Sequence, residues 1–146
     1  MDRLTERVFL GDSGDGPAMI EAGATRLVDL RAETRPPRYR VPVDHFPLED
    51  LVEGQEEIIW RAARRVQELV AAGETVGVYC QAGVSRTAAV AIAYLMLEGM
   101  DLPTATGFLR SRRPAALPAL GLWKSLEVLA RRRWEDVKEA PSEEVR

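Results

Sequence analysis

Val76-Gly77-Val78-Tyr79-Cys80-Gln81-Ala82-Gly83-Val84-Ser85-Arg86-Thr87 decides the reading of this chain. Val76 to Tyr79 is a short apolar run of the kind that forms a buried central strand. Cys80 to Ser85 is a loop of mostly small residues. Arg86 to Leu97 is apolar nearly all round, which predicts a buried helix, and Gly99 stops it. A strand that turns directly into a helix converges its backbone N–H groups on one point. The helix N-terminus adds about half a positive charge there. Such a nest suits an anion, and Gly83 and Ala82 suit its close backbone approaches.

Arg86 stands six positions after Cys80. Its planar fork can bond two phosphate oxygens at once, which a lysine cannot do. The same positive field favours the thiolate of Cys80, the form that acts as a nucleophile. In-line attack of that thiolate on phosphorus would give a cysteinyl-phosphate. A buried, inert thiol is the bland alternative for Cys80. The Arg at the sixth place and the small residues between them favour catalysis. Gln81, Ala82, Gly83, Val84, Ser85 and Arg86 are therefore the candidate phosphate-binding residues.

Working outward, Val8-Phe9-Leu10 reads as a strand closed by the turn signal Gly11-Asp12-Ser13-Gly14-Asp15-Gly16. Pro17 to Ala22 reads as a short helix, Arg26 to Leu30 as a strand, and Arg31 to Arg38 as a loop. Tyr39 to Leu48 is extended, and Pro42 and Pro47 confine it to an edge strand or an ordered loop. Glu53 to Ala72 is predicted as a helix, with Ile59, Ala62, Ala63, Val66 and Val70 on one buried face. Pro103 to Arg112 and Leu120 to Val137 are predicted as further helices. Strands separated by helices imply an α/β fold, a three-layer sandwich with a central, mainly parallel sheet. The 146 residues suit a single domain with a charged, frayed tail from about residue 139.

Bulk composition narrows the function. Net charge is −3, which gives no electrostatic case for nucleic acid. The longest apolar run, Thr87 to Leu97, is too short to span a bilayer, and the first residues do not resemble a signal peptide. One cysteine excludes an internal disulfide and fits a reducing cytoplasm. One histidine and no cysteine cluster leave no basis for a metal site, and no cofactor is implied.

The stretch from Tyr79 to Thr87, with the helix after it, resembles the signature loop of the protein tyrosine phosphatases, specifically their compact dual-specificity branch. The family pattern is His-Cys-x5-Arg-Ser/Thr, and Gln81-Ala82-Gly83-Val84-Ser85 is characteristic of that branch. The flanks extend the likeness to most of the chain: Val8 to Gly11, Gly23 to Leu30, Arg113-Pro114, and Leu120 to Leu129. The resemblance implies the tyrosine-phosphatase fold and hydrolysis of phosphotyrosine in proteins, with phosphoserine and phosphothreonine as further candidate substrates. It gives Thr87 a role in breakdown of the thiophosphate, and it makes Arg31 to Arg38 a rim of the site. It implies a general acid about thirty residues before the cysteine, after an apolar-Pro-apolar stretch. Phe46-Pro47-Leu48-Glu49-Asp50 matches, which nominates Asp50, with Asp44 and Glu49 as competitors. Asp50 could instead cap the following helix.

The sequence departs from the family at two places. Tyr79 stands where the family has a His that braces the loop, and Ala119 where many relatives carry an Asn that does the same. Two readings compete with a protein phosphatase: an enzyme for a non-protein phosphoester such as a phosphoinositide, and a phosphate-binding module without turnover. The absence of Lys from the loop speaks against the first, and retention of Cys80, Arg86 and Asp50 against the second. A low-molecular-weight phosphatase is set aside because the loop lies mid-chain with its acid before it. His45 is expected at the surface or in loop packing, and Arg110, Arg112 and Arg113 as charges at a helix C-terminus. Arg131 to Arg133 are expected on a solvated face, and Trp60, Trp123 and Trp134 against the core.

Overall fold

The computed structural model describes residues 1–139, with side chains described through residue 132. Five strands form one sheet in the order β1-β2-β5-β3-β4. They are β1 (Asp2–Thr5), β2 (Val8–Gly11), β3 (Arg26–Arg31), β4 (Val43–Leu48) and β5 (Val76–Tyr79). The pairs β2–β5, β5–β3 and β3–β4 are parallel, and only the edge strand β1 runs antiparallel. The helices are α1 (Gly16–Glu21), α2 (Glu56–Ala71), α3 (Arg86–Leu97), α4 (Leu102–Arg112) and α5 (Leu120–Glu139).

Alternation along the strands sorts the core into two layers. Val76, Val78 and Cys80 share one face of the sheet with Val28 and Leu30, packed against α2, α3 and α5. Tyr79 and Leu27 point to the other face, where Phe9 and the α1 residues Met19 and Ile20 cover them. Eleven of the twelve α3 residues are buried, as expected of a helix enclosed between the sheet and its neighbours. The fold is thus α/β with helices on both faces of a mainly parallel sheet.

Three local readings need correction. β1 was not anticipated: Asp2–Thr5 buries only Leu4, so no alternating run marks it. α2 begins at Glu56, not Glu53. Gly54 sits at φ +76°, which breaks the helix, and the side chain of Gln55 is committed to the preceding loop. α1 begins one residue earlier than expected, at Gly16, and ends at Glu21. β4 is an edge strand, as Pro47 requires. The charged segment expected to fray lies outside the described residues beyond Glu139, as does the side chain of Trp134. Trp60 and Trp123 pack half-buried against the core.

Candidate active site

Cys80 follows the last residue of β5, and Arg86 is the first of α3. Between them the backbone has a clear polarity. The loop carbonyls are tied outward: Gln81 O accepts from Ser13 N at 3.3 Å and Val84 O from Leu117 N at 3.0 Å. Gly83 O accepts from Arg113 Nε at 2.8 Å. Among the described residues, none of the backbone N–H groups from Gln81 to Arg86 donates to a protein acceptor. Backbone donors are rarely left without a partner. A run of consecutive free N–H groups ahead of a helix N-terminus is an anion nest.

Gly83 is required by this geometry. Its φ is +70°, and a Cβ there would lie 2.7 Å from the backbone of Gly11. The loop is therefore pressed against the end of β2 with no room for a side chain.

A cleft of about 560 Å³ opens over the loop. Cys80, Gln81, Ala82, Val84, Ser85 and Arg86 line one side, and Ala32, Glu33, Glu49 and Asp50 the other. Thr87 lies beneath, and its hydroxyl donates to Cys80 Sγ at 3.0 Å. Cys80 is buried to 2% exposure. Asp50 and Glu49 thus reach the cleft. Asp44 does not line it: its carboxylate accepts from Arg65 Nε at 2.8 Å and also pairs with Arg26. Asp50 does not cap α2, whose N-cap is Gln55.

The segment carrying Asp50 is stapled by Gln55. Its amide donates to the carbonyls of Glu49 and Val52, each at 2.7 Å, and its Oε1 accepts from Glu49 N at 2.8 Å. The backbone of Gln55 is held in turn by Ser125 Oγ at 3.2 Å.

The two departures from the family pattern are both met by other groups. The Tyr79 hydroxyl donates to the buried Asp29 Oδ2 at 2.8 Å. Burial and that hydrogen bond push the Tyr79 phenol well above its ordinary range. Asp29 also accepts from Arg31, at 3.2 Å from Nε and 2.9 Å from Nη2, and Arg31 Nη1 donates to Gln81 Oε1 at 3.3 Å. A chain of polar contacts thus runs from β5 through β3 to the loop. At the other end, Ala119 braces the loop with its backbone: its N–H donates to Ser85 Oγ at 2.8 Å. A side chain is not needed there.

Sequence reasoning also missed the contacts of four residues that touch this assembly. Arg113 is not simply a charge at a helix end; besides Gly83 O, it bonds Asp2 Oδ2 of β1 at 2.7 Å. Arg31 and Asp29 form an ion pair that is 9% and 0% exposed at the side chain. Glu33 makes a bidentate pair with Arg86, Oε1 to Nη1 at 2.6 Å and Oε2 to Nη2 at 2.9 Å. That pair holds the Glu33 carboxyl down at about 2. Ala32 and Glu33 rim the cleft from the loop after β3, as expected. His45 is exposed, its Nε2 2.6 Å from Arg31 O.

Comparison with known proteins gives the family and the fold. Residues 20–132 match the family model described as "Dual specificity phosphatase, catalytic domain". Human dual specificity phosphatase 28 is 35% identical over 135 residues, covering 86% of this chain and 74% of that protein. The crystal structure of the same human protein superposes with a TM-score of 0.85 at 28% identity, over 93% of this chain and 99% of that one. A human tyrosine phosphatase-like serine/threonine/tyrosine-interacting protein shares the fold, with a TM-score of 0.78 at 23% identity, over 96% of this chain and 98% of that one. The chain belongs to the dual-specificity phosphatase family and is a protein phosphatase.

Proposed function

We propose that this chain hydrolyses phosphotyrosine, and phosphoserine and phosphothreonine beside it, through a phosphocysteine on Cys80. The observation that carries the reading is the row of backbone N–H groups from Gln81 to Arg86 that, among the described residues, donate to no protein acceptor, in the cleft that Cys80 and Arg86 line. The phosphoryl group sits in that nest. The Cys80 thiolate attacks phosphorus, the ester P–O bond breaks, and Asp50 hands its proton to the departing oxygen. Water then attacks the phosphocysteine. Asp50, now a carboxylate, takes the proton from that water, and the P–S bond breaks. Thr87 donates to the sulfur as it leaves with negative charge, from the 3.0 Å contact already present.

Asp50 is preferred over Asp44 because it lines the cleft and Asp44 is bound to two arginines. It is preferred over Glu49 because both backbone polar groups of Glu49 are held by Gln55, which fixes that residue as the base of the loop. A phosphoprotein is preferred over a phosphoinositide because the cleft offers one arginine against three carboxylates, Glu33, Glu49 and Asp50. A ligand with several phosphates would meet more repulsion than a lone one. The free cysteine that this chemistry needs fits a reducing compartment, the cytoplasm. The domain is proposed to span residues 1–146, with a charged C-terminal tail from about residue 139.

The test is a panel of phosphotyrosine, phosphoserine and phosphothreonine peptides beside phosphoinositides, with Cys80→Ser as the blank. Release of phosphate from phosphotyrosine peptides above the blank is expected. Preference for phosphoinositides would move the substrate class, and no release above the blank would make this a binding module.

A further inference from the structure

Arg86 has five N–H donors, and their allocation is informative. Both Nη1 hydrogens are taken, one by Glu33 Oε1 at 2.6 Å and one by the Leu48 carbonyl at 3.1 Å. Nη2 gives one hydrogen to Glu33 Oε2 at 2.9 Å. Two donors remain, the Nε hydrogen and the second Nη2 hydrogen. In a planar guanidinium these lie side by side along one edge, a second fork with the spacing of two phosphate oxygens.

That edge is open. Among the described residues, the only buried side-chain nitrogen or oxygen without a partner is Arg26 Nε. Arg86 Nε makes no hydrogen bond there, yet it is not sealed in, although Arg86 as a residue is only 6% exposed. It therefore faces the cleft that Arg86 lines. Glu33 and Leu48 occupy two edges of the guanidinium and leave the Nε–Nη2 edge free, in a cleft that Arg86 and Cys80 both line.

We infer that Glu33 is a positioning residue, which grips one fork of Arg86 so that the Nε–Nη2 fork stays aimed at the phosphate. The inference rests on the reading of Arg86 as the phosphate ligand. Two features support it. The pair survives throughout the working pH range, because the Glu33 carboxyl is held at about 2. And Glu33 comes from the loop between β3 and β4 while Leu48 closes β4, so two separate segments converge on one guanidinium. Such convergence fixes both rotation and tilt of the planar group. A carboxylate that merely blocked the site would take the Nε–Nη2 edge.

The experiment uses tungstate as the oxyanion probe. Its binding is measured by calorimetry on Cys80→Ser and on Cys80→Ser with Glu33→Gln, and the kinetics of para-nitrophenyl phosphate are measured on Glu33→Gln and Glu33→Asp. Glu33→Gln is expected to weaken tungstate about tenfold, the loss of one charge-assisted hydrogen bond. KM should rise by a similar factor, and the pH limbs of kcat should stay in place. Glu33→Asp should recover part of the loss, and the unfolding midpoint of both variants should stay within about 2 °C of wild type, since Glu33 is half exposed. Tungstate binding to Glu33→Gln as tight as before, or tighter, would overturn the inference; tighter binding would make Glu33 a competitor for the clamp. If Cys80→Ser binds no tungstate, the phosphate reading of Arg86 fails and takes the inference with it. Weakened tungstate binding with no turnover in wild type would sink the enzymatic reading and leave this one standing.

Discussion

The hydroxyl of Tyr79 bonds the carboxylate of Asp29 at 2.8 Å, and the two residues are direct neighbours in the parallel register of β5 and β3. Asp29 is wholly buried and gathers Arg31 as well, whose guanidinium lies over the Tyr79 ring and reaches Gln81. The position before the cysteine is thus anchored from a neighbouring strand. Tyr79→Phe removes one donor from a buried carboxylate, an expected loss of about 1–3 kcal/mol read by urea unfolding. Arg31 still holds Asp29 and Gln81, so turnover should fall by less than about tenfold, because one brace of two is lost.

The Glu33–Arg86 pair sets a pH dependence of stability. The Glu33 carboxyl is lowered from an ordinary 4.5 to about 2, chiefly by its hydrogen bonds to Arg86. A depressed carboxyl stabilises the fold above its unfolded value, and that contribution is lost as pH falls through the folded one. The stability gap between wild type and Glu33→Gln should therefore be constant above about pH 5 and close between about pH 4.5 and 2. Because Glu33 is half exposed, the gap is expected to be small and to shrink in high salt. Chemical denaturation at stepped pH reads it directly.

The two aspartates should separate cleanly. Asp50→Ala is expected to lower kcat on phosphopeptides by about 10²–10⁴-fold, the range for a lost general acid. Asp44→Ala should leave kcat unchanged and cost at most about 1 kcal/mol, because its partners Arg65 and Arg26 are partly solvated. Steady-state kinetics with thermal unfolding on both variants decides it, and the reverse pattern would reassign the acid.

Gln55 provides a test of the loop that carries Asp50. Gln55→Ala deletes three hydrogen bonds to Glu49 and Val52. Since Asp50 lies between those residues, kcat should drop about tenfold or more with KM little changed, as expected when a catalytic group is misplaced. A fall in stability with kcat intact would show that Gln55 serves the fold alone.

The legibility of this site in the sequence follows from how local each relationship is. The strand, loop and helix around Cys80 are contiguous, so spacing and residue size alone expose them, including the glycine that contact with Gly11 demands. Asp50 was within reach because its loop follows a recognisable Phe46-Pro47-Leu48. Asp29 was hidden, because its partner lies fifty residues away and becomes a neighbour only once β3 and β5 are ordered side by side. Glu33 sits in an irregular loop, and its partner Arg86 lies 53 residues away, so no local pattern ties the two together. Gln55 looked like a helix residue because the break at Gly54 depends on a backbone angle. Arg113 and β1 were missed together: Asp2 holds Arg113 against Gly83, a contact spanning 111 residues.

Transfer of the phosphoryl group to Cys80 is the step on which the proposed mechanism turns. Acid-quenching wild type during turnover of a phosphotyrosine peptide, then mass spectrometry of the peptide containing Cys80, tests it most directly. One added phosphoryl group on Cys80 is expected, more abundant in Thr87→Ala, where the leaving sulfur loses its donor, and absent from Cys80→Ser together with phosphate release. Phosphate release that continues in Cys80→Ser, with no adduct in wild type, would contradict the account.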